Sequence, residues 1–338
     1  MKGVVMHVFA RWVVLVLACW ICLPARAGEI TVYTALENDE VTTYLAAARK
    51  ALPDVRIKVM RLSTGDLAAR VLAESAHPHN DVIWGEALTE MLDPRILGLL
   101  QPATLAQVQA LPGRYRSAGN VWFAPTGYAT ALCVNTQALA SAHLPVPRTL
   151  QDLTLPAYKG QVVMPNPRSS GAGYMVVAGV LAQAGQDKGW TKLKALAANV
   201  AQYTDTGSRP CKMVRTGEYA IGISFDLVAL QAIKQGFPIR MVIPADSAGY
   251  ELEASGLMKG AANPADAKRF LDWTASPQAA VLYRQYKSIV AAMPQPTAEQ
   301  VRMGLPADFM QRLPAIDFRA EARQRAGVVQ RWQQEIQR

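Results

Sequence analysis

Two short clusters of small polar residues have the composition of anion-binding turns. Residues 63–65 read Ser-Thr-Gly, residues 169–171 read Ser-Ser-Gly, and each cluster opens an amphipathic segment. At the start of a helix, hydroxyl groups and the unpaired amides of the first turn donate hydrogen bonds to anions. Serines at these positions could also serve only as helix N-caps. Because the chain has two such turns, we interpret them as one site for an anionic group, formed by Ser63, Thr64, Ser169, Ser170 and Gly171.

Three further turns follow predicted strands. They are residues 33–35 (Tyr-Thr-Ala), 84–86 (Trp-Gly-Glu) and 224–226 (Ser-Phe-Asp). Ligands of open α/β sheets bind beyond the carboxyl ends of the strands. We therefore expect all of these turns to meet at one cleft.

Motifs for catalysis are missing from the sequence. His77, His79 and His143 lack the spacing of metalloprotease ligands, and the chain has no nucleophile elbow, Walker loop or dinucleotide-binding glycine motif. The Cys-x-x-Cys spacing at residues 19–22 lies inside an apolar segment, where a redox site is not expected. The sequence therefore predicts a binding protein that is not an enzyme and has no cofactor or metal.

The first 27 residues have the three parts of an export signal. Lys2 and Arg11 give a basic start, residues 13–23 are almost wholly apolar, and residues 25–27 read Ala-Arg-Ala. This order predicts a signal peptide over residues 1–27, cleavage after Ala27 and a periplasmic product. A retained membrane anchor and lipidation at Cys19 are the alternatives.

Composition indicates a globular protein. The chain of 338 residues is 51% hydrophobic and 18% charged, and its formal net charge is +9. Its basic residues are scattered, so nucleic-acid binding is not expected. Two cysteines follow the signal segment: Cys133 lies in an apolar run, which favours a buried thiol over a disulfide with Cys211.

Predicted strands alternate with predicted helices along most of the chain. Strands are expected at residues 30–33, 55–60 and 81–84, and later at 160–164, 220–225 and 239–243. Residues 122–135 form a long apolar stretch suited to a crossover between two units. The rhythm predicts an α/β protein with mostly parallel sheets covered by helices.

Several segments together resemble a known family. They are residues 32–37 (Val-Tyr-Thr-Ala-Leu-Glu), 63–65, 81–85 (Asp-Val-Ile-Trp-Gly), 163–167 (Val-Met-Pro-Asn-Pro), 169–174 (Ser-Ser-Gly-Ala-Gly-Tyr) and 217–222 (Gly-Glu-Tyr-Ala-Ile-Gly). The chain is similar, from Glu29 to about Tyr286, to the ABC-transporter solute-binding family that contains ferric-iron binders and 2-aminoethylphosphonate binders.

The resemblance implies a two-lobed type II periplasmic-binding fold with a hinge and an interlobe cleft. Residues 28–130 would form lobe 1, residues 131–248 lobe 2, and residues 249–338 a return to lobe 1 with C-terminal helices. The partners would be a small-molecule ligand and an inner-membrane ABC permease, and the protein would be a monomer.

The same resemblance bears on the ligand. Ferric-iron binders carry an adjacent tyrosine pair just after the strand that corresponds to residues 220–224, where this chain reads Ser224-Phe225-Asp226. Iron is therefore disfavoured and 2-aminoethylphosphonate is favoured. Arg168, Cys211 and Asp226 depart from the aminophosphonate binders, which leaves another phosphorylated or phosphonate solute open. A receptor for ferric ion or another anion and an exported phosphate or phosphonate hydrolase are the alternatives, although a hydrolase lacks a visible metal cluster or nucleophile.

An aminophosphonate needs two kinds of contact. Thr34 joins the five residues of the turns as a phosphonate ligand. The ammonium group needs a carboxylate or an aromatic face. The residues expected around it are Tyr33, Glu37, Trp84, Glu86, Ser224, Tyr250 and Glu253.

Overall fold

The computed structural model describes residues 28–246 and 249–337, so the predicted signal segment with Cys19 lies outside the described residues. The strands are β1 (Gly28–Thr34), β2 (Val55–Arg61), β3 (Val82–Ala87), β4 (Leu100–Gln101), β5 (Phe123–Asn135), β6 (Val162–Pro165), β7 (Val200–Thr204), β8 (Ile221–Phe225), β9 (Ile239–Val242), β10 (Tyr250–Met258) and β11 (Ile289–Val290). Within the described ranges, no helix is both long and apolar enough to cross a membrane.

Helices follow most strands. They are α1 (Asn38–Ala51), α2 (Thr64–Ala73), α3 (Leu88–Met91), α4 (Pro94–Leu97), α5 (Ala106–Gln109), α6 (Thr136–Ser141), α7 (Gly171–Ala184), α8 (Gln186–Ala197), α9 (Arg209–Arg215), α10 (Asp226–Lys234), α11 (Pro264–Thr274), α12 (Pro277–Tyr283), α13 (Ala298–Arg302), α14 (Phe309–Arg312) and α15 (Phe318–Glu335). Short 3₁₀ turns occupy Gly113–Tyr115, Asp152–Thr154 and Pro156–Tyr158.

The sheet has the strand order β2-β1-β3-β10-β5-β8-β6-β7. β1 pairs in parallel with β2 and β3, and β6 pairs in parallel with β7 and β8. β5 and β10 are antiparallel to their neighbours. The predicted α/β class is confirmed, and the two parallel groups form the sheets of two lobes.

Strand β5 belongs to both lobes because it is long enough to change partners. Ala129 is paired with Tyr250 of β10, whereas Thr130 is paired with Phe225 of β8. The chain crosses between the lobes a second time after β9, and the amide of Thr130 donates to the carbonyl of Gly249 at 2.9 Å. The end of lobe 1 at residue 130 stays a prediction.

Cys133 and Cys211 form a disulfide, so the expectation of a buried free thiol at Cys133 is wrong. Cys133 lies opposite Gly222 in the pairing of β5 with β8, and its Cα is 5.3 Å from that of Cys211. A β-carbon at residue 222 would lie 2.8 Å from the backbone of Pro210, so glycine there lets α9 approach the sheet. The 78-residue separation concealed this tertiary contact.

Helix α15 joins the two lobes behind the sheet. Its Trp332 is fully buried in the core of lobe 2, and Arg325 stacks on the ring of Tyr174 in α7. The Arg325 guanidinium also donates to Glu90 at 2.7 Å and to Thr89 at 3.0 Å, both beside lobe 1. The C-terminal segment therefore belongs structurally to both lobes.

Candidate functional site

A cleft of about 460 Å³ lies between the lobes, where helices α2 and α7 begin. Its lining residues come from both lobes and are Ala35, Glu37, Glu40, Arg61, Ser63, Thr64, Gly85, Ala87, Tyr128, Ser170, Gly171, Ala172, Gly207, Phe225 and Glu253. Part of this volume is open to solvent. The two Ser-containing turns are therefore brought together, as expected from their positions after strands.

Ser63 is at the N-cap of α2 but does not cap it. Its backbone is extended, with φ −73° and ψ 155°, yet its hydroxyl makes no cap hydrogen bond. Ser63 lines the cleft instead, and Thr64 faces the opposite lobe at Gly171. The first amides of a helix have no partner inside it and carry its positive dipole end. This turn can therefore receive an anion.

The second turn is organised differently. The Ser170 hydroxyl accepts a hydrogen bond from the amide of Gly173 at 3.3 Å and so caps α7. The Ser169 hydroxyl donates to the carbonyl of Asp205 at 2.9 Å, and Ser169 does not line the cleft. The groups that α7 presents are chiefly the first-turn backbone at Gly171 and Ala172.

Two other predicted site residues, Thr34 for the phosphonate and Ser224 for the ammonium end, have hydroxyls that bond to backbone groups. Thr34 is fully buried, and its hydroxyl donates to the carbonyl of Trp84 at 2.7 Å and accepts from the amide of Leu36. Ser224 donates to the carbonyl of Gly207 at 2.7 Å. Both residues fix turns at the cleft without lining it.

Glu37 lines the cleft and bridges the lobes. Its carboxylate accepts from Arg61 Nη2 at 3.1 Å in lobe 1. It also accepts from the Ser208 hydroxyl at 3.0 Å and lies 3.7 Å from Lys212 Nζ, both in lobe 2. The charge of Glu37 is therefore compensated from both lobes.

Glu253 belongs to a buried ionic cluster at the cleft. Lys287 Nζ lies 2.6 Å from Glu253 and 2.8 Å from Glu40, and all three side chains are almost fully buried. Burial raises the pKa of Glu40 to about 7, with Lys287 opposing that rise. Burial lowers the pKa of Lys287, but the charges of Glu253 and Glu40 outweigh this and leave it raised. Lys287 is therefore a permanent cation behind the cleft.

The three predicted aromatic walls do not line the cleft. Tyr33 and Trp84 are buried in lobe 1, while Tyr250 lies near the C-terminal helix. The Tyr33 hydroxyl donates to Glu74 at 2.9 Å. The ring of Trp84 packs against that of Phe270 with centroids 5.3 Å apart, and the ring of Tyr250 packs against that of Phe318 with centroids 5.5 Å apart. The rings point away because side chains of successive strand residues alternate in direction.

Glu86 is fully buried and does not line the cleft. One carboxylate oxygen accepts from the amide of Ala87 at 2.7 Å, and the other has no partner among the described residues. Burial, reinforced by the charge of Glu90, raises its pKa well above the usual range. Because Glu86 is fully buried and lies outside the cleft lining, it is not placed to contact an ammonium group there.

Sequence reasoning missed several residues that line the cleft. Arg61 ends β2 two residues before the Ser63 turn, and its position after a strand was the signal that could have identified it. Tyr128 and Phe225 form the aromatic wall, with ring centroids 5.0 Å apart. Both lie in apolar strands, where the sequence does not distinguish a core residue from a residue that contacts a ligand.

The comparisons with known proteins agree with this architecture. Residues 97–317 match the family described as bacterial extracellular solute-binding proteins. The chain is 26% identical over 287 residues to y4fP of Sinorhizobium fredii, named as a probable ABC transporter periplasmic-binding protein, which covers 82% of this chain and 77% of that one.

Two solved structures are similar in fold. The periplasmic binding protein AfuA from Actinobacillus pleuropneumoniae, solved with fructose-6-phosphate bound, has a TM-score of 0.82 and 26% identity, covering 92% of this chain and 99% of that one. Iron-bound HitA from Pseudomonas aeruginosa has a TM-score of 0.75 at 17% identity, covering 90% and 99%.

The predicted two-lobed periplasmic-binding fold is thus confirmed, and the family places the protein outside the cytoplasm. Its relatives are transport binding proteins and not enzymes. The chain belongs to the bacterial extracellular solute-binding protein family and is a periplasmic solute-binding component of an ABC-type transporter.

Proposed function

We propose that this protein delivers 2-aminoethylphosphonate to an inner-membrane ABC permease. One observation carries the proposal: helices α2 and α7 begin on opposite lobes and open onto the same cleft, where Ser63 has a hydroxyl that its own helix does not use. Helix N-termini that converge in this way favour a compact anion.

The phosphonate would lie between the two turns. In lobe 1, Ser63 and Thr64 offer hydroxyls, and Arg61, whose guanidinium donates to Glu37, also lines the cleft. In lobe 2, the backbone at Gly171 and Ala172 offers amides. Charge-assisted hydrogen bonds of this kind are shorter and roughly twice as strong as neutral ones. Relative to the sequence-based set, Thr34 and Ser169 would support the turns, while Arg61 would join the ligands.

The ammonium group would face the carboxylates. Glu37 and Glu253 both line the cleft, and the rings of Tyr128 and Phe225 can cover an alkyl chain or a cation. Both acids already have protein cations beside them: Arg61 and Lys212 lie at Glu37, and Lys287 lies at Glu253. A ligand cation would share either carboxylate with those groups.

A sugar phosphate is the second candidate. AfuA, similar over 92% of this chain, was solved with fructose-6-phosphate. The same two turns would bind its phosphate, and sugar hydroxyls would donate to Glu37 and Glu253. Ferric ion fits the donors less well, because residues 224–226 (Ser-Phe-Asp) supply no pair of phenolates.

Isothermal titration calorimetry of the purified protein tests the proposal. The panel is 2-aminoethylphosphonate, ethylphosphonate, fructose-6-phosphate, inorganic phosphate and ferric citrate. We expect the tightest binding for 2-aminoethylphosphonate, with ethylphosphonate weaker by about 1.5–3 kcal/mol, because it lacks the ammonium group that would donate a charged hydrogen bond to the cleft. Equal affinity for those two ligands would remove the ammonium site, and a preference for fructose-6-phosphate would favour the second candidate.

A further inference from the structure

The lobes touch through backbone at one place beside the cleft. The amide of Gly65, in the first turn of α2, donates to the carbonyl of Ser169 at 3.0 Å. Gly65 follows β2 of lobe 1, and Ser169 follows β6 of lobe 2. This hydrogen bond therefore exists only when the two lobes are together.

There is no room for a side chain at this contact. A β-carbon at Gly65 would overlap the carbonyl oxygen of Arg168 and lie 3.1 Å from the Cα of Ser169. Both obstacles are backbone atoms, which cannot rotate aside as a flexible side chain can. The obstruction comes wholly from lobe 2, so it would disappear when the lobes separate.

Gly65 is not required by the geometry of its own helix. Its φ is not in the left-handed region, and alanine is a better helix former than glycine at an ordinary helical position. Glycine at residue 65 thus lowers the stability of α2, but it is the residue that fits the contact between the closed lobes. Gly171 in lobe 2 is also close to lobe 1, but there the neighbours are side chains: a β-carbon would lie 2.7 Å from the hydroxyl of Tyr128 and 3.1 Å from that of Thr64.

We infer that Gly65 is a positioning residue for lobe closure: its bare backbone lets lobe 1 bond directly to Ser169, and any side chain there shifts the protein toward the open form. A ligand bound by both lobes is retained only in the closed form, so its apparent affinity falls with the closed population. The effect on affinity rests on the proposed function, whereas the effect on closure does not.

Closure can be measured without knowing the ligand. Glu37 and Ser208 face each other across the lobes at 3.0 Å. In a Glu37→Cys/Ser208→Cys protein with its native disulfide intact, the rate of cross-linking by a short bis-maleimide reports the closed population. We expect Gly65→Ala to slow this reaction at least tenfold. Gly327→Ala in α15, where a β-carbon meets nothing within 4 Å, is the matched control and should leave the rate unchanged.

Two further measurements complete the test, on the wild-type background. Gly65→Ala should leave the unliganded melting temperature unchanged or raised, and should weaken 2-aminoethylphosphonate and inorganic phosphate at least tenfold by calorimetry. Gly171→Ala should act in the same direction and replaces Gly65→Ala if that variant does not fold. Unchanged cross-linking in the Gly65→Ala protein would overturn the inference. If Gly65→Ala slows cross-linking but the wild-type protein binds neither 2-aminoethylphosphonate nor inorganic phosphate, the inference about closure stands and the proposed ligand is refuted.

Discussion

Ser63 and Ser276 show how much one side chain adds to a helix start. Their backbones are nearly identical, with φ and ψ of −73° and 155° for Ser63 and −72° and 157° for Ser276. The Ser276 hydroxyl accepts a hydrogen bond from the amide of Ala279 at 3.2 Å, and the Ser63 hydroxyl makes no such bond. The first serine is thus available to a ligand, whereas the second stabilises α12.

Replacing each serine by alanine should therefore change a different property: ligand affinity for Ser63 and stability for Ser276. For Ser63→Ala, we expect at least tenfold weaker binding of 2-aminoethylphosphonate, since a hydrogen bond to a charged group contributes about 1.5–3 kcal/mol. Its unliganded melting temperature should hardly change. For Ser276→Ala, stability should fall by about 0.5–2 kcal/mol with affinity unchanged. Calorimetry and thermal unfolding measure both. A Ser63→Ala protein that is destabilised but binds normally would make Ser63 structural.

Asp226 gives a residue-scale prediction on pH. Burial raises the pKa of Asp226 to about 7, although a hydrogen bond from the amide of Ala129 opposes the rise. Between about pH 4 and 7 the unfolded chain releases this proton while the folded protein keeps it, so this group makes stability fall as pH rises. In Asp226→Asn this contribution to the pH dependence of stability should vanish. From pH 4 to pH 8 the variant should therefore gain about 1 kcal/mol or more of stability relative to the wild type.

The test depends on how the free energy of unfolding changes with pH, and not on its value at one pH. An amide at residue 226 can change stability by the same amount at every pH. Urea unfolding at several values from pH 4 to 8 measures the pH dependence. The exposed Asp39→Asn protein is the control, whose slope should match the wild type. An unchanged slope in Asp226→Asn would show that Asp226 is ionised in the folded protein at neutral pH.

At the scale of elements, the disulfide fastens α9 to β5 inside lobe 2. Cys133 and Cys211 enclose a 78-residue separation, and a cross-link of that length stabilises by about 4.5 kcal/mol on the chain-entropy account. In Cys133→Ala/Cys211→Ala we expect a lower melting temperature with ligand binding retained well below it. Reducing agent should lower the wild-type melting temperature and leave that of the double variant unchanged. Insensitivity of the wild type to reduction would contradict the prediction.

Elements were easier to predict from sequence than the side of a strand that faces the ligand. The sequence predicts a strand at residues 55–60, and β2 is found at Val55–Arg61. The prediction succeeds because buried and exposed side chains alternate at the start of this strand. Every residue of β3 is buried, so its sequence has no alternation to tell a cleft-facing side chain from a core one. The sequence predicts a strand that ends at residue 84, whereas β3 continues to Ala87, so Trp84 and Glu86 lie inside a buried strand and not in a turn at the cleft. Tyr128 was missed because it lies in the fully buried β5.

At the scale of the whole molecule, the prediction concerns the exported product. Cleavage after Ala27 would give a chain beginning at Gly28, the first residue of β1, whose pairing with Val55 would be preserved. Intact-mass measurement on periplasmic protein should match that start with the disulfide formed. A mass corresponding to lipid on Cys19, or recovery only from membranes, would contradict it.

The position of α15 has a consequence for how the protein matures. Lobe 2 takes most of its core from residues 132–223, yet Val328 and Trp332 near the C-terminus complete that core. A chain that emerges N-terminus first therefore cannot finish packing lobe 2 until its last helix is released on the far side of the membrane. Until then the apolar surface that Trp332 covers is exposed, which makes the emerging chain a substrate for chaperones and proteases. Quality control can thus distinguish a full-length protein from one truncated before α15.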